Sequence, residues 1–410
     1  MAAAKHGPGL WFRMARPDMN QDAVTSTEPT DTRGAEAHSR LGSLAAMSWA
    51  HFLNDGAANY LPGILPAVLA GLNVPVALAG TIMGALLMGQ ALQPLYGWFA
   101  DRIGGRTLVF IGIAGTTLGG GAIGLAPDYW ALIGVLLLIG VTSSMFHPQA
   151  LAAVRHLAVR RHGLYMSAFL VGGELGRGLW PLLASVVVVH LGLGATWLLA
   201  LPALVTAPLL WRRVPRLPPR HPGSAPIAWR RHLPDLVKVV GYSASRATLI
   251  FSVVTFLPLM SHIRGGTLVT GASMITTVLV GGIAGNVSGG HLADRFGRRR
   301  VLFAASSLTA LLLALFLVSS GPLVWPVLAL LGVSLFATMP VIILMGQDIL
   351  PENRSLGSGL ALGLANGIGA VAVIGLGWAA AAWSPEIVLW LNVGLAFISV
   401  LQTRLLPEHT

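Results

Sequence analysis

A short charged motif occurs twice in this chain, about half the chain length apart. Residues 97–106 and 290–299 both follow the pattern G-x-x-x-D-R-x-G-x-R, which places Asp101 and Asp294 193 residues apart. Only 10% of all residues are charged, so each copy is a local concentration of charge. An offset of 192 residues also relates Asn54 to Arg246 and Leu65-Pro66 to Leu257-Pro258. A pattern repeated at one spacing indicates two copies of one structural unit.

The rest of the chain is too apolar for an ordinary soluble domain. Hydrophobic residues make up 54% of it, whereas a soluble globule has about 45–50% even when Gly is counted. The apolar stretches are roughly 18–27 residues long, the length with which a helix spans about 30 Å of hydrocarbon. They fall into two sets of six: 43–70, 76–100, 107–125, 130–153, 164–189 and 195–211, then 236–262, 268–292, 300–319, 323–346, 355–381 and 386–404.

The sequence therefore predicts an all-α membrane protein with twelve transmembrane helices in two pseudo-symmetric six-helix bundles. We expect a disordered cytoplasmic tail over 1–42, because this stretch is polar and has no apolar core. The N-terminal bundle is expected over 43–211 and the C-terminal bundle over 236–405. A Pro- and Arg-rich cytoplasmic linker over 212–235 would join them.

The formal net charge of +11 does not indicate a nucleic-acid-binding surface, because the positive residues are distributed according to the predicted membrane topology. Loops on the side of the repeated motif contain seventeen Lys and Arg residues, and the opposite loops contain only Arg264. Positive loops mark the cytoplasmic side. We therefore expect a multi-pass protein of the cell (inner) membrane with both termini in the cytoplasm, in contact with lipid and not with nucleic acid. The absence of Cys excludes thiolate metal sites, and no metal is predicted.

The twelve predicted helices and the paired motif resemble the major facilitator superfamily. In that family the motif lies between helices 2 and 3 and again between helices 8 and 9, as it does here. The resemblance implies a transporter whose two bundles alternate around a central cavity. It also implies a cytoplasmic gate in which each motif Asp faces a helix N-terminus of the other bundle. The gate residues would be Gly97, Asp101, Arg102, Arg106, Gly290, Asp294, Arg295 and Arg298.

A narrower resemblance is to the fosmidomycin-resistance branch of drug exporters. It rests on short segments in five predicted helices: 51–55 with 61–62, 93–97, 146–148, 172–176, and Arg246 with 256–258. The chain departs from that branch at Gln149, Glu174, Arg177 and Trp180-Pro181. The branch implies efflux and antibiotic resistance as functions, without naming a substrate.

An ionisable residue inside a membrane helix is a functional candidate by default, because burying it is costly. His51 and Asp55 are four residues apart and therefore share one helix face. A His close to a carboxylate could couple transport to protons, and Asn54 and Asn59 lie nearby. The alternative is a hydrogen-bonded pair that only braces the first helix against the seventh.

The fifth predicted helix contains Glu174 and Arg177, three residues apart. Glu174 could carry a proton and Arg177 could bind an anion, or the two could simply neutralise each other. Arg246 could line the cavity, or it could extend to the cytoplasmic interface. His147 precedes Pro148, where helix carbonyls can be freed for a side chain. The predicted substrate path is completed by Asn54, Asn59, Gln93, His147 and Trp180.

No hydrolase, metalloprotease or phosphate-binding motif is present, so we predict neither an enzyme nor a cofactor. Without a nucleotide-binding loop, the energy is expected from an ion gradient. The sequence therefore predicts a monomeric secondary transporter that exports a small drug-like or polar compound in exchange for protons. An importer or uniporter of a small organic anion on the same fold remains open. A membrane sensor or scaffold that does not transport remains the third possibility.

Overall fold

The computed structural model describes residues 30–96, 99, 106–157, 162–215, 229–350 and 354–407. These residues form helices and no strands. In chain order the α-helices are α1 (Thr30–Asn59), α2 (Leu61–Gly71), α3 (Ala79–Gln90), α4 (Arg106–Ala122), α5 (Tyr129–Leu157), α6 (His162–Leu191), α7 (Leu201–Arg213), α8 (Trp229–Ile263), α9 (Leu268–Phe296), α10 (Arg298–Val318), α11 (Val324–Ile349), α12 (Arg354–Gly359), α13 (Ala365–Ala382) and α14 (Pro385–Gln402).

Within the described residues, eleven helical segments are long and apolar enough to cross a membrane. The remaining predicted span is the first one, which α1 and α2 share. The all-α fold with twelve membrane-spanning segments is thereby confirmed. The outward faces are covered by large apolar side chains such as Val205 and Leu311, which are 76% and 62% exposed. Side chains of this kind are stable in lipid and would be unfavourable in water.

Several helix bounds differ from the sequence prediction. Helix α1 begins at Thr30 rather than at residue 43, because helix-favouring residues such as Ala35, Glu36 and Ala37 precede the apolar segment. Helix α8 begins at Trp229, inside the stretch expected as linker. The first span is interrupted at Tyr60, just before Pro62, and Pro66 lies inside α2. Helices α5 and α8 continue through Pro148 and Pro258.

Two long seams join the first six spans to the last six. Helix α3 packs along α13, and α6 packs along α9. At the first seam, a Cβ added to Gly80 would lie 2.2 Å from the carbonyl oxygen of Val373 and 3.1 Å from the Cα of Gly377. Only a residue without a side chain allows two membrane helices to approach so closely.

The α3–α13 seam also contains two irregular turns that face each other. The eleventh span has a π-helical turn, Leu360–Leu364, between α12 and α13. Opposite it, α3 ends at Gln90 shortly before Pro94, which cannot donate a backbone hydrogen bond. A Cβ at Gly363 would lie 3.2 Å from the ring of Pro94. The regular helix is therefore interrupted on both sides of the seam at one level.

Candidate functional site

A cluster of charged and polar side chains surrounds Asp55, which is only 1% exposed. The helical turn of α1 places His51 beside it, with His51 Nε2 3.5 Å from Asp55 Oδ2. From α5, His147 Nε2 lies 3.0 Å from Asp55 Oδ1. From α6, Arg177 Nη2 donates to Asp55 Oδ2 at 3.0 Å. Three helices therefore bring cationic or protonatable groups to one buried carboxylate.

The Nδ1 atom of each imidazole ring lies at hydrogen-bond distance from a backbone carbonyl oxygen. His51 Nδ1 lies 2.9 Å from the carbonyl oxygen of Phe169, and its ring stacks on the Phe169 ring with centroids 4.1 Å apart. His147 Nδ1 lies 2.8 Å from the carbonyl oxygen of Ser143. The sequence placed His147 in the substrate path, but the structure places it against the carboxylate of Asp55.

The two predicted Asn residues of the first span donate hydrogen bonds to different groups. Asn54 Nδ2 donates to Asp55 Oδ1 at 3.1 Å and to Ser143 Oγ at 3.3 Å. Asn59 Nδ2 instead donates to the backbone oxygen of Asp55 at 2.8 Å. Asn54 is therefore part of the cluster, while Asn59 supports the last turn of α1.

Glu174 connects this cluster to the other half of the chain. Arg177 Nη1 lies 3.7 Å from Glu174 Oε1, so Arg177 contacts both buried carboxylates. Asn286 of α9 donates from Nδ2 to the same Oε1 at 3.0 Å. Glu174 Oε2 is buried without a hydrogen-bond partner among the described residues. Asn286 was not among the predicted site residues, although an amide within an apolar span was a signal that could have revealed it.

Arg246 of α8 is buried and faces the same region. It is 6% exposed, and its Nε donates to Thr338 Oγ1 on α11 at 3.0 Å. Among the described residues, no Asp or Glu oxygen lies within 4.0 Å of its nitrogen atoms. It is near enough to Glu174 and Arg177 for their charges to interact. The sequence also allowed an Arg246 side chain that extends to the cytoplasmic interface, but a side chain buried to this degree does not fit that alternative.

The other two predicted path residues lie outside the cluster. Trp180 is 4% exposed and packs edge-on against Phe52, with ring centroids 4.9 Å apart. Its indole Nε1 is buried and has no partner in the described part of the chain. Gln93 is half-buried beyond the end of α3 and takes part in none of the hydrogen bonds described above.

The ring nitrogens of His51 and His147 and a carboxylate oxygen of Asp55 lie within 4.8 Å of one another, as metal ligands would. Both Asp55 oxygens, however, already accept N–H groups from Asn54 and Arg177. The guanidinium of Arg177 would also repel a second cation at this position. The contacts therefore favour a hydrogen-bonded ion cluster over a metal centre.

Of the predicted gate, Gly97, Asp101 and Arg102 lie outside the described residues. Arg106 lies over the Trp211 ring at 4.6 Å, Gly290 is half-buried, and Asp294 and Arg295 are exposed. Asp294 forms no ion pair with any residue that the structure describes, whereas Arg298 Nη1 lies 2.5 Å from Asp348 Oδ2. The gate therefore stays a prediction.

Comparison with known proteins gives concordant similarities. The family model described as Major Facilitator Superfamily matches residues 47–373 and 243–409. The chain is 28% identical over 370 residues to YfnC, an MFS-type transporter of Bacillus subtilis (strain 168), covering 86% of this chain and 88% of YfnC. It is also 28% identical over 403 residues to the fosmidomycin resistance protein of Escherichia coli (strain K12), covering 94% of this chain and 98% of that protein.

The fold is similar to that of a solved bacterial homologue of the lysosomal transporter Spinster, in its inward-facing and occupied conformation. The TM-score is 0.74 at 13% identity, over 88% of this chain and 95% of the other. At that identity, the likeness concerns the fold alone.

Proposed function

Because the chain belongs to the major facilitator superfamily of membrane transporters, we propose that it exports a small polar or drug-like compound in exchange for protons. The observation that carries this proposal is the contact chain from Asp55 through Arg177 and Glu174 to Asn286. Its last hydrogen bond joins α6 to α9, one of the two seams at which the halves meet. A change of charge in the cluster would therefore act on the contact that must change during transport.

The proposal follows from how buried charges behave. Each ionised group in a medium of low dielectric constant needs a partner, and removing one partner leaves the other unfavourably buried. Gain or loss of a proton within the cluster would thus favour a different arrangement of Arg177. Since Arg177 contacts both carboxylates, that rearrangement would reach Asn286. Alternating access driven by a proton gradient is the expected result.

The direction of transport is proposed from two observations. The relative from Escherichia coli is named for fosmidomycin resistance, which supports efflux. The excess of positive charge in the loops on one side supports an inner-membrane protein with both termini in the cytoplasm. We further propose a monomer with no cofactor, in which the two motif loops close the cytoplasmic side and the expected bundles, 43–211 and 236–405, move against each other.

The direction in which protons move, relative to the exported compound, tests the proposal. Proteoliposomes would be loaded with fosmidomycin and a luminal pH dye, with the membrane potential clamped by potassium and valinomycin. If the protein is an exchanger, the lumen acidifies as the compound leaves, whichever way the protein is inserted. Alkalinisation of the lumen would indicate symport and would overturn the exchange mechanism.

Glu174→Gln should uncouple transport from the proton gradient. Glutamine can still accept the Asn286 N–H, so the hydrogen bond across the seam is kept, but the charge that balances Arg177 is lost. We expect substrate exchange at equilibrium to stay close to wild type, while accumulation against a gradient driven by pH is lost. Radiolabelled flux measures both. Glu386→Gln is the matched control, because Glu386 is an exposed carboxylate paired with Arg264 at 2.7 Å; unchanged accumulation in Glu174→Gln would contradict the coupling role.

A second candidate is an importer or uniporter of a small organic anion, and Arg246 favours it. A buried guanidinium without a carboxylate partner among the described residues is suited to bind an anionic group of a substrate. Arg246→Gln should then weaken binding of anionic compounds and leave neutral ones unaffected. Arg246→Lys should recover part of the affinity. Thermal stabilisation of the purified protein by a panel of anionic and neutral compounds measures this, and equal losses for both groups would remove the anion role.

A further inference from the structure

The hydrogen bonds around Asp55 specify where one proton resides. Carbonyl oxygens only accept hydrogen bonds. The Nδ1 atoms of His51 and His147, at 2.9 and 2.8 Å from the carbonyl oxygens of Phe169 and Ser143, must therefore each carry a hydrogen. A neutral imidazole has only one N–H group. In its neutral form, each ring would thus present an Nε2 lone pair to the carboxylate.

The contact between His147 and Asp55 requires one proton more than neutral His and ionised Asp provide. His147 Nε2 and Asp55 Oδ1 are 3.0 Å apart, a hydrogen-bond distance. Two lone pairs facing each other at that distance would repel. A hydrogen must lie between them, bound either to the ring nitrogen or to the carboxyl oxygen.

The other partners of Asp55 place that hydrogen on the ring. Asp55 Oδ1 also accepts from Asn54 at 3.1 Å, and Oδ2 accepts from the guanidinium of Arg177 at 3.0 Å. Donors at both oxygens, one of them charged, stabilise the carboxylate over the carboxylic acid. His147 is therefore an imidazolium in this arrangement.

Charged and titratable side chains from several helices lie near His147. Arg177 lies within 4.0 Å of both Asp55 and Glu174, and a cationic His147 adds a second cation beside Asp55. The charge of Arg246 on α8 also acts on Arg177 and Glu174. Helix α3 has no titratable residue, and in α4 only its first residue, Arg106, is titratable. His51 Nε2, at 3.5 Å from Asp55, is beyond a normal hydrogen bond and needs no second proton.

We propose that His147, rather than Asp55 or Glu174, binds the proton that this transporter exchanges for substrate, and that Asp55 is its counter-ion. This role rests on the proposed function, whereas the presence of the proton rests on the contacts alone. When the proton leaves, the Nε2 lone pair faces a carboxylate and the cluster loses one positive charge. His147 and Asp55 must then separate, and Arg177 is left as the principal partner of both carboxylates.

Nitrogen NMR of the histidine side chains tests the charge of His147 without any substrate. Full-length protein labelled with ¹⁵N-histidine would be measured in lipid nanodiscs at pH 8, at which exposed His residues, with a pKa of about 6.5, are neutral. Of the 12 His residues, we expect one imidazolium signal in the wild type. His147→Gln should remove it, and His51→Gln should retain it. Gln at 147 can still donate to Asp55, so the fold is expected to persist.

A measurement on the unmodified sequence supports the assignment independently of the variants. With ¹³C-labelled aspartate carboxyl groups, the imidazolium Nε2 should show a short dipolar distance to one aspartate carboxyl carbon. An imidazolium signal that persists in His147→Gln, or its absence from the wild type, overturns the proposal. If the signal is present but vesicles show no proton-driven flux, the proposed function fails and the proton assignment stands. If flux is proton-driven without an imidazolium, the proton assignment alone fails.

Discussion

Transport driven by a pH gradient is expected to fall by about 100-fold or more in Asp55→Asn, as the loss of an interaction of about 3 kcal/mol requires. Asparagine keeps the shape of the side chain but removes the charge on which Arg177 and His147 converge. Among the described residues, the guanidinium then has Glu174, 3.7 Å away, as its one carboxylate partner. His147 also loses its counter-ion, so that the ring should become neutral and its imidazolium signal should disappear.

Flux in proteoliposomes and thermal unfolding of the purified variant measure the two consequences. Asp235→Asn is the matched control: Asp235 is more exposed and accepts from Lys238 Nζ at 2.9 Å, a type of pair that contributes little to stability. It should behave as wild type in both assays. Full proton-driven transport by Asp55→Asn would refute the role of this carboxylate.

Gly80→Val is expected to prevent α3 and α13 from approaching each other. A Cβ at residue 80 would lie 2.2 Å from the carbonyl oxygen of Val373, and neither backbone can yield without moving a whole helix. Overpacking of this kind costs about 1–3 kcal/mol, enough to shift the population from the closed seam to a separated one. Transport should fall because one of its conformations is no longer reached.

The absence of Cys from the sequence makes a distance measurement direct. Spin labels on Ala70→Cys and Trp383→Cys, both exposed positions, would report the distance between the end of α2 and the end of α13. The distribution should shift to longer distances in Gly80→Val. Gly375→Val is the control on α13, because a Cβ at Gly375 has no atom within 4 Å. An unchanged distribution in Gly80→Val would show that the seam does not limit the approach of the two helices.

The sequence predicted those features that depend on local periodicity. The twelve spans follow from the length of the apolar stretches, and the neighbouring positions of His51 and Asp55 follow from the helical repeat. It did not predict that His147 contacts Asp55, or that Asn286 binds Glu174. Those contacts depend on how each helix is rotated about its own axis within the bundle, and apolar faces on nearly all sides of a span leave that rotation undetermined.

Boundaries were predicted less well for a related reason. Pro66 and Pro258 lie inside α2 and α8, which continue through them, whereas the interruption in the first span lies at Tyr60. In membrane helices, neighbouring groups satisfy the backbone atoms that a proline leaves unpaired. Proline alone therefore does not decide where such a helix breaks.

The facing irregular turns at Pro94 and Leu360–Leu364 have a mechanical consequence. A helix bends more readily at a wide turn or beside a proline than along its regular length. Because the two weak points face each other, both helices can bend at the same level of the seam. The second and eleventh spans would then bend as a pair, while Gly80 and Gly377 remain in contact. Such a bend would change the distance between the two spans at one end of the seam only, and the end that contains Gly80 would stay closed.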